Sequence, residues 1–284
     1  MSVRNLVFAG AVGLLASPPL NANEPALSAP PGNVVELGPV VTSNSAQYRV
    51  ESQSVGKSFV VDVFVVGSEA LPPSSDIKLP VVFVTDADLV TTMAPAVATM
   101  GFRTGQFAPM IVVGIGYGQD LGRAEIMLRR NKDMTPVYDP EKLAAAPLPP
   151  AVREGLADRL GGSDALLGFI NDELKPFIAS RYPADLEDTT LVGASLGGLF
   201  TLHVLFSAPD SFDRYVAISP SALIFDPQFL LDEEAGLDDV PARLFVGLGG
   251  NDAPEIVEMT AKLDAQIRRR ARPQLRYTYR VFPD

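Results

Sequence analysis

Apolar positions along the chain gather into short runs that are separated by stretches with helical spacing. Leu79 to Thr85 and Met110 to Ile115 are continuous apolar runs of strand length, the pattern of parallel strands covered on both faces. Tyr48 to Ser54 and Ser58 to Val66 read as two antiparallel opening strands joined by Val55-Gly56-Lys57, since the second alternates and the join is short. Leu89 to Met100 reads as a helix. From Asp164 onward Leu166, Ile170, Leu174 and Ile178 recur every fourth residue, an amphipathic helix in which Pro176 straightens or kinks the last turn. Thr189 to Ala194 is a further apolar strand, and Leu199, Leu202, Leu205 and Phe206 follow it at helical spacing. Tyr215 to Ser219, Arg243 to Leu248 and Leu275 to Phe282 complete the strands. Strands that alternate with helices in this way predict an α/β fold: a doubly wound, mostly parallel sheet with helices on both faces.

The first residues do not belong to that pattern. Arg4, the apolar stretch Leu6 to Ala16 and the break at Pro18 to Ala22 read as a secretory signal cleaved after Leu20-Asn21-Ala22. The apolar stretch is shorter than a bilayer span. Residues 23–46 are proline-rich and lack apolar periodicity, the composition of a flexible leader, so the expected domain is 47–284 and its expected location is outside the cytoplasm, periplasmic or secreted.

Composition narrows the chemistry. With 47% hydrophobic residues, the chain has ample material for one large core. There are 23 basic and 34 acidic residues; cleavage after Ala22 removes only Arg4 and leaves a net charge of −12. Such a surface repels nucleic acid and anionic membranes, so neither is an expected partner. The absence of cysteine excludes disulfides, thiolate catalysis and cysteine zinc sites. No metal-ligand cluster or phosphate-binding loop is visible, and no cofactor is expected.

The stretch Gly193-Ala194-Ser195-Leu196-Gly197 carries the sharpest chemical signal. G-x-S-x-G between an apolar strand and a helix is a nucleophile elbow: Ser195 sits in a strained turn that lifts its hydroxyl above the sheet, and glycine two residues to either side avoids collision with neighbouring backbone. The turn opens a helix, so the amide of Leu196 lies among unpaired N–H groups at a positive helix end, suited to a developing oxyanion. A glycine-rich turn that merely packs a helix on a strand is the competing reading. In open α/β sheets ligands bind at the carboxyl ends of strands. The residues there are Asp86-Ala87-Asp88, Gly116-Tyr117-Gly118, Ser219-Pro220-Ser221, Gly249-Gly250-Asn251-Asp252 and, after the last strand, Phe282-Pro283-Asp284.

Seven stretches, in order, resemble the esterase family of α/β-hydrolases that includes esterase D, the ferric siderophore esterases and the mycolyl transferases. They are residues 52–57 (SQSVGK), 82–88 (VFVTDAD), 112–117 (VVGIGY), 130–136 (RNKDMTP), 193–198 (GASLGG), 218–221 (ISPS) and 279–283 (YRVFP). The likeness runs from Tyr48 to Asp284 and is nearest to the siderophore esterases. It implies Ser195 as nucleophile, Leu196 N–H as one oxyanion donor and the Asp86-Ala87-Asp88 loop, through Ala87 or Asp88, as source of the other. It matches Asp252 to the triad acid, with Glu255 a rival one turn later. Arg130 matches a family arginine, expected with Asp86 and Tyr117 to line the substrate pocket; residues 119–162 are expected to set substrate choice, with Thr135 to Pro150 forming a cap over the pocket.

The chain departs from the family in three places. Ala87 stands where glycine is usual, no tryptophan follows the Ser-Pro-Ser stretch, and the one histidine, His203, lies eight residues beyond Ser195. At 1.5 Å per residue that is about 12 Å along the helix, too far for a base. The family's histidine follows the stretch at Phe282-Pro283-Asp284, so the expectation is a domain incomplete at its C-terminus. The reading is a serine hydrolase of carboxylic esters, siderophore-esterase-like, that takes a small-molecule ester and works through an acyl-enzyme on Ser195. An acyltransferase of the same fold and a catalytically silent binding protein are the alternatives.

Overall fold

The structure, a computed structural model, describes residues 42–72, 76–90, 93–137, 155, 159–221, 241–269 and 273–283. The proposed signal and most of the leader, the greater part of the expected cap and residues 222–224 after the Ser-Pro-Ser stretch lie outside them.

Eight strands form one sheet in the order β1-β2-β4-β3-β5-β6-β7-β8. They are β1 Ser45–Glu51, β2 Ser58–Val66, β3 Leu79–Thr85, β4 Met110–Gly116, β5 Ala184–Ala194, β6 Arg214–Ile218, β7 Arg243–Gly249 and β8 Arg276–Phe282. The β1–β2 and β2–β4 pairs are antiparallel and every other pair is parallel. The order reverses between β3 and β4, so the chain crosses over to lay β5 beside β3. All the parallel strands therefore end on one edge, which is where their following loops meet.

The continuous apolar runs fill both faces of this sheet. On one face Phe59, Val61, Val63, Phe83, Ile111, Val113 and Leu191 meet the helices α4 Ser163–Gly168, α5 Lys175–Arg181 and α6 Leu196–Ser207 in the main core. On the other, Val66, Val84 and Val112 lie under Ala98 of α2 Met93–Arg103. Among the described residues, further α-helices are α1 Ala87–Val90, α3 Arg123–Asp133 and α7 Pro254–Arg269. Among the described residues no helix is long and apolar enough to cross a membrane.

Some elements differ from the expectation. The first strand is Ser45–Glu51 rather than Tyr48 to Ser54, because small Ser45 and Ala46 pair with Phe64 and Val63, whereas Ser52 to Lys57 close the turn. Glu173 holds that turn: its carboxylate accepts from Ser52 Oγ at 3.1 Å and from the amides of Gln53 and Ser54 at 2.9 Å each. The single helix expected from Asp164 is interrupted by a π-helical stretch, Phe169–Leu174, directly before Pro176. Proline has no N–H to bond the carbonyl one turn back and its ring collides with it; a widened turn accommodates both. The strand expected from Thr189 to Ala194 starts five residues earlier, at Ala184; the helix expected over Leu89 to Met100 falls in α1 and α2, with residues 91–92 outside the description.

Candidate active site

β5 ends at Ala194, and the chain turns at Ser195 with φ 57° and ψ −119° before α6 begins. A serine with positive φ is strained by about 1–3 kcal/mol and persists only where its surroundings dictate it. Here the surroundings are explicit. Ser195 N–H donates to Ile218 O at 2.9 Å, and Ser195 O accepts from the amides of Leu199 and Ser221. A Cβ on Gly193 would lie 2.1 Å from Gly197 O, and one on Gly197 would lie 2.3 Å from Thr85 Oγ1. The flanking glycines are thus required by close approach, by backbone at Gly193 and by a neighbouring hydroxyl at Gly197. Ser195 itself is exposed at the carboxyl edge of the sheet.

Leu196, Gly197 and Gly198 open α6, so their amides have no partner within the helix and point out of its positive end. Ala87 opens α1 at the end of the adjacent β3 and is 2% exposed. The amides expected to hold an oxyanion, that of Leu196 and that of Ala87 or Asp88, therefore come from loops at neighbouring strand ends, β3 and β5 being paired.

The acid loop lies two strands further along. Asp252 is half-buried after β7, and its Oδ2 accepts from Ser219 Oγ at 2.6 Å and from Gly249 N–H at 2.9 Å. Ser219 sits at the end of β6, which also carries the Ile218 and Ser221 contacts to Ser195. Glu255 is exposed in the first turn of α7. Of the two rival acids, the structure engages Asp252 with the strand beside the nucleophile.

The three residues expected to line the substrate pocket are all buried. Tyr117 is 2% exposed, and its ring packs on Phe59 with centroids 5.6 Å apart. On either side of it, a Cβ on Gly116 would stand 2.8 Å from Asp88 Oδ2, and Gly118 takes φ 100°. Burial drives the Tyr117 hydroxyl far above its ordinary pKa, and Asp133 and Asp86 add to the effect. Asp86 and Arg130 are 6% and 9% exposed and face each other: Arg130 Nε donates to Asp86 Oδ1 at 2.6 Å and Nη2 to Oδ2 at 2.9 Å. Arg130 Nη2 also reaches Ala194 O at 3.3 Å. Their side chains bind each other and the strand end before the nucleophile.

Asp88 takes a third position. Its carboxylate accepts from the amides of Tyr117 at 2.5 Å and Gly118 at 2.9 Å. These anchors on either side of Ala87 were invisible to motif reading, because the three partners are 29 to 44 residues away in sequence. His203 is 6% exposed within α6 and its Nε2 meets Asp164 Oδ1 at 3.1 Å, a packed helix residue remote from the elbow. Among the described residues, no group of three or more histidine, cysteine or acidic side chains is arranged to hold a metal ion.

Comparison with known proteins decides the family. Residues 67–235, more than half of the chain, match the family model described as "Putative esterase". The chain belongs to this esterase family. Among curated relatives of the family member, the ferri-bacillibactin esterase BesA of Bacillus subtilis (strain 168) is 37% identical over 163 residues, which cover 56% of this chain and 53% of the relative. The siderophore triacetylfusarinine C esterase of Aspergillus fumigatus is 31% identical over 185 residues, covering 64% of this chain and 58% of the relative. The chain thus spans a little over half the length of these curated relatives. Among solved structures, the BES protein from Bacillus cereus superposes with a TM-score of 0.73 at 25% identity, covering 88% of this chain and 92% of the other. The siderophore hydrolase EstB from Aspergillus nidulans gives 0.71 at 22% identity, over 88% and 91%, a likeness of fold. The family member has the α/β-hydrolase fold.

Proposed function

We propose that this chain is the α/β-hydrolase body of a serine esterase that cleaves carboxylic esters of iron-chelating siderophores through an acyl-enzyme on Ser195. The observation that carries the reading is Ser195 itself, exposed at φ 57° on a turn between β5 and α6, with the Leu196 amide at the helix end beside it. Ser195 Oγ attacks the ester carbonyl and its proton passes to a general base; the tetrahedral oxyanion lies against Leu196 N–H and Ala87 N–H. The carbon–oxygen bond to the alcohol then breaks, the alcohol takes the proton, and water releases the acid from Ser195 in the second half. Asp252, whose Oδ2 accepts from Ser219 and from the Gly249 amide, is the acid of this reading, the group that orients the general base. The siderophore assignment rests on the names of the relatives, and the ester chemistry on the elbow.

The test is turnover by the native protein of p-nitrophenyl esters and of a cyclic siderophore ester, beside its Ser195→Ala variant. Loss of about a thousandfold or more in the variant, with the melting temperature unchanged, supports the reading. Equal turnover by a folded Ser195→Ala variant places the nucleophile elsewhere. Hydrolysis of simple esters without the siderophore ester retains the mechanism and removes the substrate class.

A further inference from the structure

We infer that Arg130 is a positioning residue for the oxyanion site, the group that sets the distance between its two halves; this rests on the hydrolase reading. Ala87 is held from both sides by carboxylates. Before it, Asp86 turns at φ 60° and buries its carboxylate on the Arg130 fork from α3. After it, Asp88 grips the amides of Tyr117 and Gly118 at the end of β4. Beneath it, Gly114 leaves room, since a Cβ there would stand 3.0 Å from Ala87 Cβ. The Ala87 amide therefore has little freedom relative to the sheet.

Arg130 does more than close one side of this clasp. The nitrogen that binds Asp86 Oδ2 also reaches the carbonyl of Ala194, the residue before the nucleophile. One rigid planar group thus touches the loop that carries one oxyanion donor and the strand end that leads to the other. The spacing of donors decides how well they meet an oxyanion that exists only in the transition state, so a looser spacing lowers kcat and leaves substrate affinity nearly intact. A guanidinium that bound substrate directly would instead act on KM. The positive φ of Asp86 agrees with this: the ion pair, with the Leu89 amide donating to Asp86 O at 2.8 Å, holds the aspartate in the left-handed region.

The variants that test it are Arg130→Lys, which keeps the charge and loses the fork, and Asp86→Asn, which keeps the shape and loses the charge. Each is measured in the native protein for kcat, KM and amide hydrogen exchange over residues 85–90 and 199–207. The expected result is a kcat lower by about thirty- to a hundredfold with KM within about threefold, since losing one oxyanion donor outright costs about a hundredfold or more. Exchange over 85–90 should quicken about tenfold or more while 199–207 stays protected. A kcat equal to wild type, a tenfold rise in KM alone, or unchanged exchange over 85–90 overturns the inference. If Arg130→Lys does not fold, Asp86→Asn carries the same readings. A wild-type protein that turns over no ester refutes the hydrolase reading, and the exchange comparison then judges the clasp by itself.

Discussion

Ser219 donates its hydroxyl to Asp252 Oδ2 across 2.6 Å, and the bond joins the loop after β7 to the strand end that also holds the nucleophile's backbone. Ser219 adopts φ 42°, and its amide is held by Gly247 O at 2.7 Å, so the hydroxyl is aimed and not free to wander. If Asp252 orients the base, its own orientation depends on Ser219 and on the Gly249 amide. Asp252→Asn should reduce kcat by about a thousandfold or more. Ser219→Ala should reduce it by about tenfold, the worth of one positioned hydrogen bond. Glu255→Gln should leave the rate unchanged. A large loss in Glu255→Gln with a mild one in Asp252→Asn assigns the acid to Glu255 instead.

The glycines of the elbow separate by what they touch. The clash facing Gly193→Ala is with the carbonyl of Gly197, part of a buried helix start that cannot retreat. A cost above about 3 kcal/mol is expected, enough to lose the folded protein under mild denaturant. The clash facing Gly197→Ala is with Thr85 Oγ1, a buried hydroxyl without a hydrogen-bond partner among the described residues. Its cost should be about 1–3 kcal/mol, and Thr85→Ala in the same chain should return most of it, because the deleted oxygen leaves no bond unmade. Urea midpoints of the two single variants and the double variant check this; an unrelieved double variant shows that the strain lies elsewhere.

Much of the fold was legible because its strands are short, apolar and separated by clear breaks. Leu79 to Thr85 is β3 to the residue, and Met110 to Ile115 differs from β4 by one. The elbow was legible for a different reason: its constraint is local, and a spacing of two residues records it. What the sequence left unread was long-range. Nothing near Tyr117 in sequence tells whether its ring turns into the core, and a position after a strand suggested a pocket. The Asp86 and Arg130 pairing and the Glu173 cap on the first hairpin depend on residues 44 and about 120 positions apart. Each is a charged residue that looked like chemistry or solvent when its partner was unknown. The π-helical turn before Pro176 was foreshadowed by the proline, though a kink and a widened turn share that signature.

Export is expected from Arg4, the apolar stretch Leu6 to Ala16 and the proline-rich segment after them. Protein isolated from its native host should begin near Asn23 and be found outside the cytoplasm. N-terminal sequencing of fractionated cells decides it; soluble cytoplasmic protein beginning at Met1 or Ser2 removes the idea.

Asp133 makes stability depend on pH near neutrality. It is the last residue of α3 and is 3% exposed. Burial raises its carboxyl from 3.8 to about 6, against the pull of Lys57 and Arg129, the Tyr117 hydroxyl and Lys132. The sign follows from the two states. Below about pH 4 the group is protonated folded and unfolded; between 4 and 6 only the folded chain keeps the proton; above 6 the folded chain carries a buried charge. The stability present at low pH is therefore lost as pH rises through 6, by about 3 kcal/mol at full effect. Asp133→Asn is neutral throughout and escapes that loss. Its stability relative to wild type should rise between pH 4 and pH 7.5 by on the order of 2–3 kcal/mol, whatever the fixed cost of the amide. Urea unfolding of both proteins at the two pH values measures the difference directly. A difference that is the same at both means that Lys57 and Arg129 balance the penalty of burial, and one larger at pH 4 means that they outweigh it.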